Sequence, residues 1–227
     1  MAWENNPGWQ TTSAAEVNST LVRESQRAFM SRVYGWMFAG LMLTGVVAIV
    51  TVSNQPLLEV ALEWRFPLLL AELGLVFALS LAAPRLSGPV AALMFMAYAA
   101  LTGMTLSIYF LIYTAGSIGQ AFLMTAGLFG AMSIYGTVTK KDLSSWGSFL
   151  FMGLIGVIIA GLVNLFMRSD MMSFVISCAC VVVFTGLTAY DTQKLRQMHA
   201  STGYSAAATV SVVGALTLYL DFINLFL

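Results

Sequence analysis

The sequence predicts an all-α integral membrane protein with seven transmembrane helices. Three observations carry that reading. Only 9% of the 227 residues are charged and 59% are hydrophobic, whereas a soluble domain carries roughly 25% charged residues. The charges gather in short breaks between apolar runs of span length, about 20 residues each. The Lys and Arg residues fall mostly on alternate breaks. The formal net charge is zero, so no strong basic surface argues for nucleic acid.

Residues 1–12 read as a flexible tail. Ser13 and Glu16 have the spacing of a helix capping box. A polar helix follows through Arg32. It reads as a solvated lead-in helix at the membrane surface, with contact of Arg23, Arg27 and Arg32 to anionic lipid headgroups as the alternative. Residues 1–32 are therefore expected to form a cytoplasmic tail and interfacial helix, and residues 33–227 the transmembrane domain. A basic start followed by a short apolar core does not occur, so the first span is expected to direct insertion.

The first span runs about Val33 to Val52, with Tyr34 and Trp36 at interfacial depth. Ser53 to Arg65 reads as a loop. The second span, about Phe66 to Ala83, contains Glu72 and closes at Pro84-Arg85. The third runs about Pro89 to Tyr113, and Thr114 to Ser117 form a short turn. The fourth runs about Ile118 to Val138. Lys140-Lys141-Asp142 is a polar break, and Ser144-Ser145 reads as the cap of the fifth span, about Gly147 to Phe166. The sixth runs about Met171 to Tyr190. Asp191 to Ser205 reads as a polar loop, and the seventh span occupies about Ala206 to Leu227. The pairs Ala126/Gly130 and Gly156/Ala160 sit four apart and are expected to pack helices closely.

Orientation follows from the breaks. An N-terminus in the cytoplasm gathers Arg23, Arg27, Arg32, Arg85, Lys140, Lys141, Lys194 and Arg196 on that side. The other side keeps only Arg65 and Arg168. That is a strong positive-inside bias.

The last span is apolar yet carries Asp221. Gly214, Thr217, Asp221 and Asn224 fall at offsets 0, 3, 7 and 10, one thin polar stripe on a helix. A carboxylate inside hydrocarbon costs at least about 2.5–3.5 kcal/mol and marks function by default. Asp191, at the end of the preceding apolar run, is the candidate partner. Ser177, Cys180, Thr188 and Asp191 form a similar stripe on the sixth span. Two close carboxylates cannot both ionise cheaply, so the pair titrates as a unit. With one proton they hold two helices together; without it they repel. Such a pair also attracts Ca²⁺, but cannot fill its shell of 6–8 oxygens. Binding should be weak and transient, as conduction requires. Arg85 is a candidate latch for Asp191, and Glu72 a supporting acid. Each also has an ordinary reading, as a flanking cation and as a hydrogen bond between helices.

Enzyme classes fit poorly. His199 is the only histidine, in a polar segment, without the base–nucleophile or zinc cluster that hydrolysis needs. Cys178 and Cys180 read as small packing residues. No glycine-rich phosphate loop occurs. Of the two di-aspartyl protease motifs, Tyr190-Asp191 matches one and the stretch before Asp221 does not match the other. No enzymatic activity and no resident cofactor are expected.

Several stretches resemble the Bax inhibitor 1 family, in its bacterial inner-membrane branch. They are Arg32-Val-Tyr-Gly-Trp36, Thr139-Lys-Lys-Asp-Leu-Ser-Ser145, Leu150-Phe-Met-Gly-Leu-Ile-Gly156 and Leu162-Val-Asn-Leu-Phe166. The most specific are Thr185-Gly-Leu-Thr-Ala-Tyr-Asp-Thr-Gln-Lys194 and Gly214-Ala-Leu-Thr-Leu-Tyr-Leu-Asp-Phe-Ile-Asn-Leu-Phe226. The resemblance implies a last helix that is central within two three-helix groups. It implies a pH-sensitive calcium leak channel or exchanger, governed by aspartates that map to Asp191 and Asp221. It places an arginine latch at Arg85 and a helix-two glutamate at Glu72. The expected location is a bacterial inner membrane, with Ca²⁺ and H⁺ as ligands and membrane lipids around the chain. The alternative is a membrane interaction protein that regulates other membrane proteins, such as proteases or stress regulators, without transport. There the acids are structural.

Overall fold

The computed structural model describes the backbone of residues 14–82, 85–201 and 207–227, and the side chains of 21–82, 85–198 and 208–227. The expected tail at 1–12, the capping box at Ser13 and Glu16, Ala83-Pro84, the His199 side chain and the turn at 202–206 lie outside these residues. Among the described residues the regular elements are helical, with no strand. They are α1 (Ala14–Ser53), α2 (Gln55–Glu63), α3 (Arg65–Ala82), α4 (Gly88–Leu106), α5 (Tyr109–Ile112), α6 (Ala115–Val138), α7 (Ser144–Met167), α8 (Asp170–Ser201) and α9 (Ala207–Phe226). Seven helical stretches are long and apolar enough to cross a membrane.

Local chemistry explains where the helices begin. Asn54 caps α2 by accepting the Leu57 N–H, and a proline stands in its first turn. Thr114 caps α6 through the Ser117 N–H. The left-handed backbone of Arg168, at φ 50°, ends α7.

Four sequence expectations are corrected. Residues 53–65 are not an open loop: α2 fills most of that stretch. The polar segment after Tyr190 is helical, because α8 continues to Ser201. No Gly or Pro interrupts residues 191–201, so nothing in that chain stops a helix. Asp191 is thus inside a helix rather than at its end. Leu143, not a serine, is the N-cap residue of α7; Asp142 Oδ1 takes the Ser144 N–H at 2.9 Å. Gly130 and Gly156 meet nothing within 4 Å of a built Cβ, so they make no close helix contact.

The close contacts fall at other glycines. A Cβ on Gly136 of α6 would overlap the backbone of Ala189 on α8, and one on Gly147 of α7 would stand 2.5 Å from the Tyr190 ring. Both neighbours directly precede Asp191. The absent side chains therefore set how closely α6 and α7 approach α8 beside that acid.

The spans pack in a definite pattern. α4 packs on α1 and α3; α8 packs on α6 and α7. α9 packs on α1, α4, α6 and α8. It is the most enclosed span, with 61% of its window buried against at most 39% elsewhere. At its middle Tyr219 is fully buried. Phe95 and Tyr98 meet it edge-on at 5.6 and 5.8 Å. Thr44 donates to Ala99 O at 2.8 Å, so Tyr219 supplies the proton of the 2.7 Å bond between the two hydroxyls. The outer faces carry large apolar side chains, such as Leu81 at 79% and Phe166 at 89% exposure. In water that surface would aggregate; in a bilayer it is the lipid face.

Gly136→Val should lower the thermal midpoint of the detergent-solubilised protein, at a cost of about 1–3 kcal/mol from overpacking. Gly127→Ala, into open space inside α6, should not lower the midpoint and should raise it slightly through helix propensity.

Candidate functional site

Three helices define the candidate site. α7 and α9 both pack on α8, and the gap between them is a cavity of about 690 Å³. Its wall runs from Ser144 to Ile158 along α7, a rise of about 21 Å at 1.5 Å per residue. Asp191 and Lys194 of α8 and Thr217, Asp221 and Asn224 of α9 share that wall.

Asp221 is 4% exposed. Its Oδ2 is buried and has no hydrogen-bond partner among the described residues. Asp191 lies on the same cavity and its field acts on Asp221. The Lys194 ammonium acts on Asp191 in turn, while standing 5.5 Å from the Tyr190 ring. The wall thus carries two acids and one cation, the cation at the end where α7 begins.

The predicted stripes hold in part. Thr217, Asp221 and Asn224 line the cavity, but Gly214 does not; it meets Leu195 and Val33. Thr217 and Asn224 turn polar atoms back onto Val213 O and Leu220 O, at 3.2 and 2.7 Å. On α8, Cys180 joins Asp191 on the wall. Thr188 is buried, donating to Phe184 O at 2.8 Å, and Ser177 is exposed. At about 100° per residue, Ser177 and Thr188 sit about 60° round the helix from Cys180 and Asp191, which is enough to turn them off the wall.

Glu72 and Arg85 are not on this wall. Glu72 accepts the Thr105 hydroxyl at 2.5 Å, joining α3 to α4. Its field reaches Tyr98 and Tyr219. Arg85 is exposed in the short connection between α3 and α4.

Sequence reading passed over one positioning residue, Gln193. Its Nε2 donates to Lys141 O at 2.8 Å, and its Oε1 accepts the Leu143 N–H at 2.8 Å. Arg196 also donates to Thr137 O. Together they fasten the α6–α7 connection to α8. A buried glutamine in a segment read as a loop gave no signal; only the helical reading of 191–201 would have pointed to it.

No group of three or more metal-ligating side chains occurs among the described residues. The arrangement offers instead a buried acid, Asp221, and a half-buried one, Asp191, on neighbouring helices, lining one largely apolar cavity.

The fold and these acids define a class: a polytopic all-α membrane protein with an ionisable group enclosed by its spans. The chain belongs to the Bax inhibitor family, whose family model, described as "Inhibitor of apoptosis-promoting Bax1", matches residues 26–227. It is 46% identical over 211 residues to the inner membrane protein YbhL of Escherichia coli K12, covering 90% of each chain. It is 50% identical over 203 residues to a protein of Deinococcus radiodurans, covering 88% of this chain and 87% of the relative. A Rickettsia prowazekii protein is 44% identical over 221 residues, 96% of this chain and 93% of its own.

Gln193→Ala should release the α6–α7 connection. Trypsin should then cut after Lys140 or Lys141 several-fold faster in the detergent-solubilised protein, and stability should fall by about 1–3 kcal/mol from the two lost hydrogen bonds.

Proposed function

We propose that the protein is a pH-sensitive calcium leak channel or exchanger, gated by a proton shared between Asp191 and Asp221. The observation that carries this reading is Asp221: a buried carboxyl with a partnerless oxygen, facing the same cavity as a second acid. Hydrocarbon keeps such a group only at a cost. The resemblance carried by the stretches around Asp191 and Asp221 implies the same reading.

With one proton between them, the two carboxyls attract and draw α8 and α9 together. Loss of that proton sets two like charges against each other and opens the gap. The same two oxygen-rich groups then meet Ca²⁺ as cargo. Their low ligand number keeps the ion's stay short. Lys194, near the mouth, tempers the charge of Asp191. In this reading Arg85 acts as a latch and Glu72 as a support from outside the cavity wall.

We further propose an inner-membrane location, as the name of the Escherichia coli relative states for that protein, with the N-terminus in the cytoplasm. Eight cations on one side against two on the other favour that orientation.

Liposomes holding a Ca²⁺ dye should fill faster with the protein present, and the rate should rise as the pair loses its proton. Asp221→Asn should hold the rate at the protonated level at every pH, because an amide always donates to Asp191. Filling no faster than in empty liposomes at any pH would remove the transport reading. Filling that keeps its pH profile in both Asp191→Asn and Asp221→Asn would remove the gate while leaving transport. For orientation, a C-terminal alkaline phosphatase fusion should be active and a C-terminal green fluorescent fusion dark.

A further inference from the structure

A second cavity, of about 360 Å³, lies between α1, the α6–α7 connection and α8. Its walls differ from those of the acid cavity. Lys140 and Lys141 come from the connection, Arg196 from α8, and the amides of Gln26 and Gln197 complete the rim. One carboxylate, Asp142, is present.

The cavity is held in shape. Gln193 fixes the connection at two backbone points, Lys141 O and Leu143 N. Thr139 Oγ1 takes the Lys141 N–H at 3.2 Å. Arg196 spends one donor on Thr137 O, which anchors its planar fork and leaves others for a ligand. Asp142 is occupied with Ser144, whose hydrogen bonds hold its carboxyl below the usual carboxylate range. Three cations thus surround a space opposed by one ionised acid, which leaves a net positive charge.

We propose that this cavity binds a phosphate-bearing anion. A guanidinium and two ammonium groups match the oxygens of a phosphate. The volume falls within the range of small-ligand sites, about 300–1,000 Å³. The position, where three polar chain segments meet at the ends of apolar spans, also suits a lipid headgroup. A bound phosphate would tie Lys140 and Lys141 to Arg196, and so tie the α6–α7 connection to α8. Ser144, just beyond that connection, lies on the wall of the acid cavity. The proposal stands without the transport reading.

The test uses the full chain in a neutral detergent, with bound lipid counted by native mass spectrometry. Dioctanoyl phosphatidylglycerol should bind about tenfold tighter than dioctanoyl phosphatidylcholine. Lys140→Gln with Lys141→Gln, both exposed, should abolish that preference, and Arg196→Gln should do the same. Arg65→Gln with Arg168→Gln removes equal charge from exposed positions on the opposite side of the bundle and should leave it intact. Inorganic phosphate is then added as competitor. Displacement of the lipid assigns the site to soluble phosphate as well; retention assigns it to the headgroup. Equal binding of the two lipids without displacement, or equal loss in the Arg65/Arg168 control, overturns the proposal.

Discussion

Hydrocarbon offers a polar group no partner, and the whole bundle answers to that constraint. A helix satisfies its own backbone, so side-chain polar atoms are what remains to be settled. Most of those buried here are settled locally or across one helix contact. Thr44 serves both Ala99 O and Tyr219 Oη. Thr105 serves Glu72. Gln193 serves two backbone groups of another segment. Among the described residues, Asp221 Oδ2 and the Thr185 hydroxyl stand out against this pattern, and only the first is a carboxyl. An unsatisfied carboxyl oxygen beside a second acid is a local cost that packing does not remove, and it gives the site its chemistry.

α9 brings the two kinds of polar group together. Tyr219 and Asp221 are two residues apart, so they point to different faces of one helix. The tyrosine face is locked against α1 and α4 by aromatic edges and a hydroxyl pair. The aspartate face looks into the gap left by α7. One side of the helix is fixed and the other is lined by charge, which suits an element whose immediate neighbours change spacing while its core contacts stay.

The neighbourhood of Asp191 is set by small residues and by Gln193. Gly136 and Gly147 allow two helices to come against the residues just before the acid, and Gln193 fastens the connection between those same helices just after it. The backbone carrying Asp191 is thereby gripped on both sides. The acid cavity and the basic cavity flank the α6–α7 connection, so one short segment borders two sites of opposite charge.

The sequence by itself determined the class, the number of spans and the acid of interest. Scarcity of charge, runs of bilayer length and a carboxylate in an apolar helix are one-dimensional signals, because the bilayer acts on every span alike. Helix ends at Asn54, Thr114 and Leu143 were blurred, since polar residues near an interface read equally as loop, cap or short helix. Only the tertiary structure decided which small residues touch: Gly136 and Gly147 do, Gly130 and Gly156 do not, because a span's lipid face and its packed face are equally apolar. It also decided that Asp191 and Asp221 share a cavity while Glu72 and Arg85 stand outside it. Those relations depend on how helices are rotated about their axes, and rotation is fixed by contacts between segments far apart in the chain.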